Sequence, residues 1–193
     1  MSASQADVTT LVSVIVPTRN AAATLAACLA SIATQSHSHT ELIVVDNHST
    51  DATLAIAQGF TTHTHTHGPE RSVQRNYAAG LAQGAYLLFI DADMELPPTV
   101  IAECLKAITS NPADPKSKPY VAATIPEVSF GEGFWADCKA LERSFYVGDD
   151  QVEAPRFMPA ATFTLAGRYD PAMAGVEDWD LSQRLRALGE FAR

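Results

Sequence analysis

The chain has 193 residues, ordinary for one domain, with 47% hydrophobic and 18% charged residues and no biased tract that points to disorder. A formal charge of -9 argues against a nucleic-acid partner, because binding a phosphate backbone needs clustered Lys and Arg. The three cysteines Cys28, Cys104 and Cys138 lie far apart with no Cys-X-X-Cys spacing, which fits free thiols serving as small buried hydrophobes in a reducing compartment.

Residues 1–10 have neither a basic start nor an apolar core and read as a disordered tail rather than a signal peptide. Leu11 to Val16 is a buried strand stopped by Pro17, after which Thr18, Arg19 and Asn20 make a polar turn. Ala22 to Thr34 reads as a helix with Leu25, Leu29 and Ile32 on one face. The unit repeats as a strand over Glu41 to Val45, a polar loop from Asp46 to Asp51 and a helix over Ala52 to Gln58 ended by Gly59. Strands alternating with helices predict an α/β fold with a mostly parallel sheet and right-handed crossovers.

Thr61 to His67 alternates threonine with histidine. It reads as an exposed edge strand or loop, or as one face of His63, His65 and His67 able to bind zinc or nickel. Glu70 to Gln83 is a helix carrying Arg71, Arg75 and Asn76 in its first half. Tyr86 to Ile90 is a continuous apolar run suited to a central strand, opened by Gly84 and closed by Asp91-Ala92-Asp93. Ligands of open parallel sheets collect beyond the carboxyl ends of the strands, and two hard oxygen donors there suit a divalent cation. The alternative is that Asp91 and Asp93 only cap the following turn.

A fourth helix is predicted from Leu96-Pro97-Pro98 through Ser110, then a proline-rich loop to Pro119. Val121 to Ile125 is a strand, Pro126 to Gly133 is irregular, and Phe134 to Val147 is a helix whose aromatic residues read as core. Arg156 to Leu165 reads as one extended piece and Gly167 to Pro171 as a turn. Glu177-Asp178-Trp179-Asp180 opens a last helix with Leu181, Leu185 and Leu188 on one face. At roughly 100° per residue Glu177 and Asp178 both border that face, so the wheel alone does not choose between them.

Neither G-X-G-X-X-G nor G-X-X-X-X-G-K-[ST] occurs, which disfavours dinucleotide and P-loop phosphate sites. The residues that are present resemble the family 2 nucleotide-sugar glycosyltransferases of GT-A fold. Val12-Ser-Val-Ile-Val-Pro-Thr-Arg-Asn20 is similar to that family's opening strand and loop, and Glu41-Leu-Ile-Val-Val-Asp-Asn-His-Ser-Thr-Asp51 to its second strand and nucleobase loop. Arg75-Asn76 with Gly80, Phe89-Ile-Asp-Ala-Asp93 and Glu177-Asp178-Trp-Asp-Leu181 resemble its metal-preceding helix, its metal motif and its catalytic-base motif. The resemblance runs from about Val12 to Leu188, departing at His48, where the family often has glycine, and at a C-terminus where further structure is expected.

The resemblance implies a GT-A domain over 11–193, with a nucleotide-binding half over about 11–95 and an acceptor half over about 96–193. It implies inverting transfer of a sugar from a nucleotide diphosphate to a saccharide, lipid-linked or other hydroxyl acceptor. Mn2+ or Mg2+ would be held by Asp93 with Asp91. Pro17, Thr18, Asn20 and Asp46 would line the nucleoside pocket, Arg75 would hold the diphosphate, Asp91 would meet a water or the ribose, Asp178 would be the general base and Glu177 would orient the site. A nucleotidyltransferase is the rival within the fold, disfavoured because Thr18-Arg19-Asn20 lacks a glycine-rich loop. The rival of another class is a truncated, non-catalytic nucleotide-binding domain. No apolar run approaches the ~20 residues of a membrane span, so the expected location is cytoplasmic, with peripheral association at the inner membrane face left open.

Overall fold

The structure is a computed structural model and describes residues 9–110, 118–146, 148 and 153–193. Its frame is a seven-stranded sheet built from β1 (Val12–Thr18), β2 (Thr40–Asp46), β3 (Thr64–Thr66), β4 (Tyr86–Phe89), β5 (Tyr120–Thr124), β6 (Pro155–Pro159) and β7 (Glu190–Ala192). The strand order is β3-β2-β1-β4-β6-β5-β7. All neighbours pair in parallel except β6, which runs antiparallel to both β4 and β5. The helices are α1 (Leu25–Ala33), α2 (Thr53–Gln58), α3 (Arg71–Leu81), α4 (Val100–Thr109), α5 (Phe134–Ser144), α6 (Ala160–Leu165) and α7 (Glu177–Leu188).

The continuous apolar runs of β1, β2 and β4 follow from burial on both faces. Successive strand side chains point to opposite sides, so Val14, Val16, Val44 and Leu88 enter a core with α1 and α4, while Ile15, Val45, Leu87 and Phe89 enter one with α6 and α7. Each such side chain stabilises the fold by about 1.5–3 kcal/mol. Gly84 lets β4 start close against β1: a Cβ there would lie 2.5 Å from Ser13 Oγ and 2.6 Å from Ser13 N.

Several expectations need correction. The piece from Arg156 to Leu165 is not wholly extended, because sheet pairing ends where Pro159 meets Tyr86 and the chain turns into α6, burying Phe163 against Phe89. The fourth helix starts at Val100 rather than Leu96. Pro97 and Pro98 disfavour α backbone in the residues before them, and their carbonyls accept instead from Gln35 Nε2 at 2.8 Å and Ser36 N at 2.7 Å. The aromatic residues of α5 are not core: Phe134 is 71% and Trp135 82% exposed, and Val147 lies outside the described residues. Cys138, on the same helix, is exposed too, unlike Cys28 and Cys104. β7 has no counterpart among the expected elements, being three residues placed beside β5 by the close approach of Gly189 to Val121 and Pro119.

Of the expected N-terminal tail, residues 1–8 lie outside the described residues, as do 111–117 of the proline-rich loop. Thr9 and Thr10 are docked, their carbonyls accepting from the rings of His39 and His37. β3 is the edge strand the Thr/His alternation suggests, and the His65 and His67 rings pack on Tyr77, with centroids 5.7 and 4.3 Å apart. Among the described residues no helix is long and apolar enough to cross a membrane.

Candidate active site

The carboxyl ends of β1, β2 and β4 converge on one rim, and the loops leaving them are tied to each other. Asp46, buried at the end of β2, accepts from Ser49 N at 2.8 Å and from Thr18 Oγ1 at 3.2 Å, so its carboxylate fastens the turn after β2 to the end of β1. Asn20 completes the tie, donating from its backbone to Ser49 Oγ at 2.7 Å and accepting from Thr50 N at 2.9 Å. Asn20 and His48 hold φ of 48° and 51°. That left-handed backbone suits glycine, the residue the family often places at His48. Pro17 pairs with Val45 beside this rim.

The centre of the rim is Arg75, whose side chain is 0% exposed. Its Nη2 donates to Asp91 Oδ1 at 2.6 Å and its Nη1 to Asp178 Oδ1 at 3.2 Å, so one guanidinium joins the loop after β4 to the start of α7. Tyr169 stacks under it, with the guanidinium carbon 5.1 Å from the ring centroid. Asn76 sets that ring by a reciprocal pair, donating to Tyr169 O at 2.8 Å and accepting from Tyr169 N at 3.1 Å. Burial pulls the Arg75 pKa down, but Tyr169, Asp91 and Asp178 outweigh it and the net direction is up.

Asp91 is gripped from both sides, its Oδ2 lying 3.3 Å from Arg156 Nη2. Burial raises its pKa, and the Arg75 and Arg156 charges more than reverse that, holding the carboxyl below the usual carboxylate range. Asp93, two residues on, makes no hydrogen bond or ion pair among the described residues. Glu177 is buried. Its Oε2 accepts from Gly175 N at 2.7 Å and its Oε1 lies 2.8 Å from Arg71 Nη2. Asp178 is 32% exposed at the side chain and reaches a cleft of about 410 Å³ with Glu127, Lys139, Arg143, Tyr146 and Arg156. A second cleft of about 620 Å³ holds Asp93, Met94 and Thr24 and shares Glu127 and Arg156 with the first.

The structure thus brings together Arg75, Asp91, Asp178 and Glu177, holds Asp46, Thr18 and Asn20 in one cross-linked rim, and leaves Asp93 free beside its own cleft. Arg156, Glu127 and Tyr169 belong to the site although no sequence motif marks them. A single charged residue inside the apolar Pro155-Arg-Phe-Met-Pro159 stretch is the signal that could have marked Arg156.

No group of three or more His, Cys, Asp or Glu side chains converges to hold a metal among the described residues. A unidentate site still fits, since Mg2+ and similar ions take one or two carboxylates and complete their shell with water and phosphate oxygens. Asp93, like Glu95 in the same cleft, is a hard oxygen donor without a hydrogen-bond or ion-pair partner among the described residues, whereas both Asp91 oxygens face guanidinium groups.

A mixed sheet with its rim site at the carboxyl ends of parallel strands, flanked by helices, is the GT-A architecture. TarS residues 1–349 of S. aureus in complex with UDP superposes with a TM-score of 0.70 at 19% identity over 94% of this chain and 56% of that one. The mannosyltransferase PcManGT of Pyrobaculum calidifontis, in complex with GDP-Man and Mn2+, gives 0.69 at 20% identity over 93% and 53%. In sequence, residues 13–161 match the model of Glycosyl transferase family 2, and the chain belongs to that family. It is also 30% identical over 184 residues to a PGL/p-HBAD biosynthesis glycosyltransferase of Mycobacterium tuberculosis, covering 89% of this chain and 68% of that protein. The chain therefore spans about two thirds of that relative and little more than half of the two solved chains.

Proposed function

We propose that this domain transfers a sugar from a nucleotide diphosphate to an acceptor hydroxyl by a single inverting displacement that depends on a divalent cation. The observation that carries the reading is the split between Asp93 and Asp178: Asp93, with no ion pair of its own among the described residues, lines the 620 Å³ cleft, and the partly exposed Asp178 lines the 410 Å³ cleft, with a shared wall between them. Donor and acceptor need such separate but adjoining places. The UDP and GDP-Man bound to the two solved proteins of the same fold support a nucleotide donor here.

Pro17, Thr18, Asn20 and the loop fastened by Asp46 would receive the nucleoside. Asp93 would hold Mn2+ or Mg2+, which when bound supplies Lewis-acid stabilisation of the departing diphosphate. Asp91, fixed by Arg75 and Arg156, would meet the ribose or a metal-bound water. Asp178 would take the proton of the acceptor hydroxyl, because it is the acid of α7 that reaches the acceptor cleft, while Glu177 is buried on Arg71 and Gly175 and orients the start of the helix. Arg75 is fully enclosed by the chain's own carboxylates and Tyr169, so its share in diphosphate binding would be exerted through Asp91.

The reading is tested by incubating the protein with a panel of nucleotide-diphosphate sugars and manganese and following nucleoside diphosphate release with simple saccharide, lipid-linked and aromatic hydroxyl acceptors. Release with at least one donor, abolished by Asp178→Asn and by chelator, is expected. Tight nucleotide binding without release from any donor would favour the non-catalytic module.

A further inference from the structure

We infer that Arg156 is a specificity-determining residue that donates hydrogen bonds to the sugar being transferred. The inference rests on the proposed glycosyl transfer and follows from where Arg156 sits. Any sugar passing from a diphosphate held at Asp93 to a hydroxyl deprotonated at Asp178 must lie between the two clefts. The residues common to both linings are Glu127, Lys139, Arg143 and Arg156.

Among these four, Arg156 is the one built for precision. It stands on β6 inside the sheet, whereas Lys139 and Arg143 stand on α5, no residue of which is buried. Its side chain is only 10% exposed and is held at two points, Nε on Glu127 Oε1 and Nη2 3.3 Å from Asp91 Oδ2. Its Nη1 has no protein partner among the described residues and is not fully enclosed. A rigid, permanently charged fork with free N–H donors at a cleft junction fits ring hydroxyls better than a mobile lysine would.

A guanidinium keeps its charge at any working pH, and here Glu127 and Asp91 face it from two sides. Glu127 and Asp91 thus form a mounting, and the remaining donors are left for a ligand. No rearrangement of the side chain is needed for this, because the mounting fixes the fork before the ligand arrives.

The test compares two ligands on one protein: the nucleoside diphosphate alone and the nucleotide sugar that the donor panel identifies, each titrated calorimetrically with manganese into wild type, Arg156→Gln, Arg156→Lys and Glu127→Gln. Arg156→Gln is expected to weaken the nucleotide sugar about 10- to 100-fold more than it weakens the diphosphate, whose own smaller loss reports the loosened Asp91. Arg156→Lys should recover part of the loss, and Glu127→Gln, which keeps the arginine but removes its mounting, should show a smaller loss of the same kind. Equal weakening of both ligands would make Arg156 a diphosphate ligand and overturn the inference, as would unchanged binding of both. Should Arg156→Gln fail to fold, as seen by circular dichroism, Glu127→Gln decides by the same comparison. A wild-type chain that binds neither ligand defeats the glycosyl-transfer reading itself, and the inference with it.

Discussion

Arg75 and Asp178 are 103 residues apart in the chain, and their side chains meet at 3.2 Å. The same guanidinium holds Asp91 at 2.6 Å, so the loop after β4 and the first turn of α7 are fixed relative to each other through one buried cation. Removing the cation takes away the charge that Asp91 and Asp178 share, leaving Asp91 with Arg156 alone. Arg75→Gln is expected to lower stability by about 2–4 kcal/mol, read as a shift in urea midpoint with unchanged slope. A midpoint within error of wild type would show that the pairing carries no weight.

Asp91 links stability to pH. Burial raises its pKa, and Arg75 and Arg156 lower it further than burial raises it, so the folded value lies below the ordinary one. A carboxyl depressed on folding adds stability in full above its unfolded pKa and loses it as the pH falls through the folded pKa. Wild type should therefore exceed Asp91→Asn in stability near pH 6, and the gap should close as the pH is taken below the unfolded aspartate value of about 3.9. Denaturant titrations at steps across that range check it, and a gap independent of pH would contradict the ion-pair account.

Gly84 gives a prediction about packing alone. A Cβ at this position would sit 2.5 Å from Ser13 Oγ and 2.9 Å from Leu11 O, so Gly84→Ala must push β4 away from β1. A loss of about 1–3 kcal/mol is expected in thermal or urea unfolding, with the nucleotide affinity of the folded fraction retained.

Asp178 is expected to matter for turnover and not for the donor. Asp178→Asn should reduce kcat by about 10²- to 10⁴-fold, whereas Asp180→Asn should do little to catalysis, because Asp180 is paired with Arg184 on its own helix at 2.5 Å. Steady-state rates with a saturating donor separate the two.

The strands and the helix faces are legible where burial imposes a pattern. β1, β2 and β4 are buried on both sides and so read as unbroken apolar runs, and Leu181 and Leu185 mark the inner face of α7. α5 shows the limit of that logic: its aromatic residues read as core, yet sequence periodicity does not say whether anything covers a face, and here Phe134 and Trp135 are exposed. β7 and the break at Pro159 depend on which strand lies alongside, a tertiary matter. In the site, Asp91, Asp93 and Asp178 stand out because carboxylates at strand and helix ends carry chemistry. The grip of Arg156 on Asp91 is hidden, since β4 and β6 are antiparallel neighbours whose pairing no local motif announces.

The division of labour between Asp93 and Asp178 is tested most directly by calorimetric titration of a nucleoside diphosphate into wild type, Asp93→Ala and Asp178→Asn, each with manganese and with excess chelator. Metal-dependent binding in wild type and Asp178→Asn, lost in Asp93→Ala, is the predicted result. Equal affinity of wild type in manganese and in chelator, or a loss in Asp178→Asn as deep as that in Asp93→Ala, would contradict it.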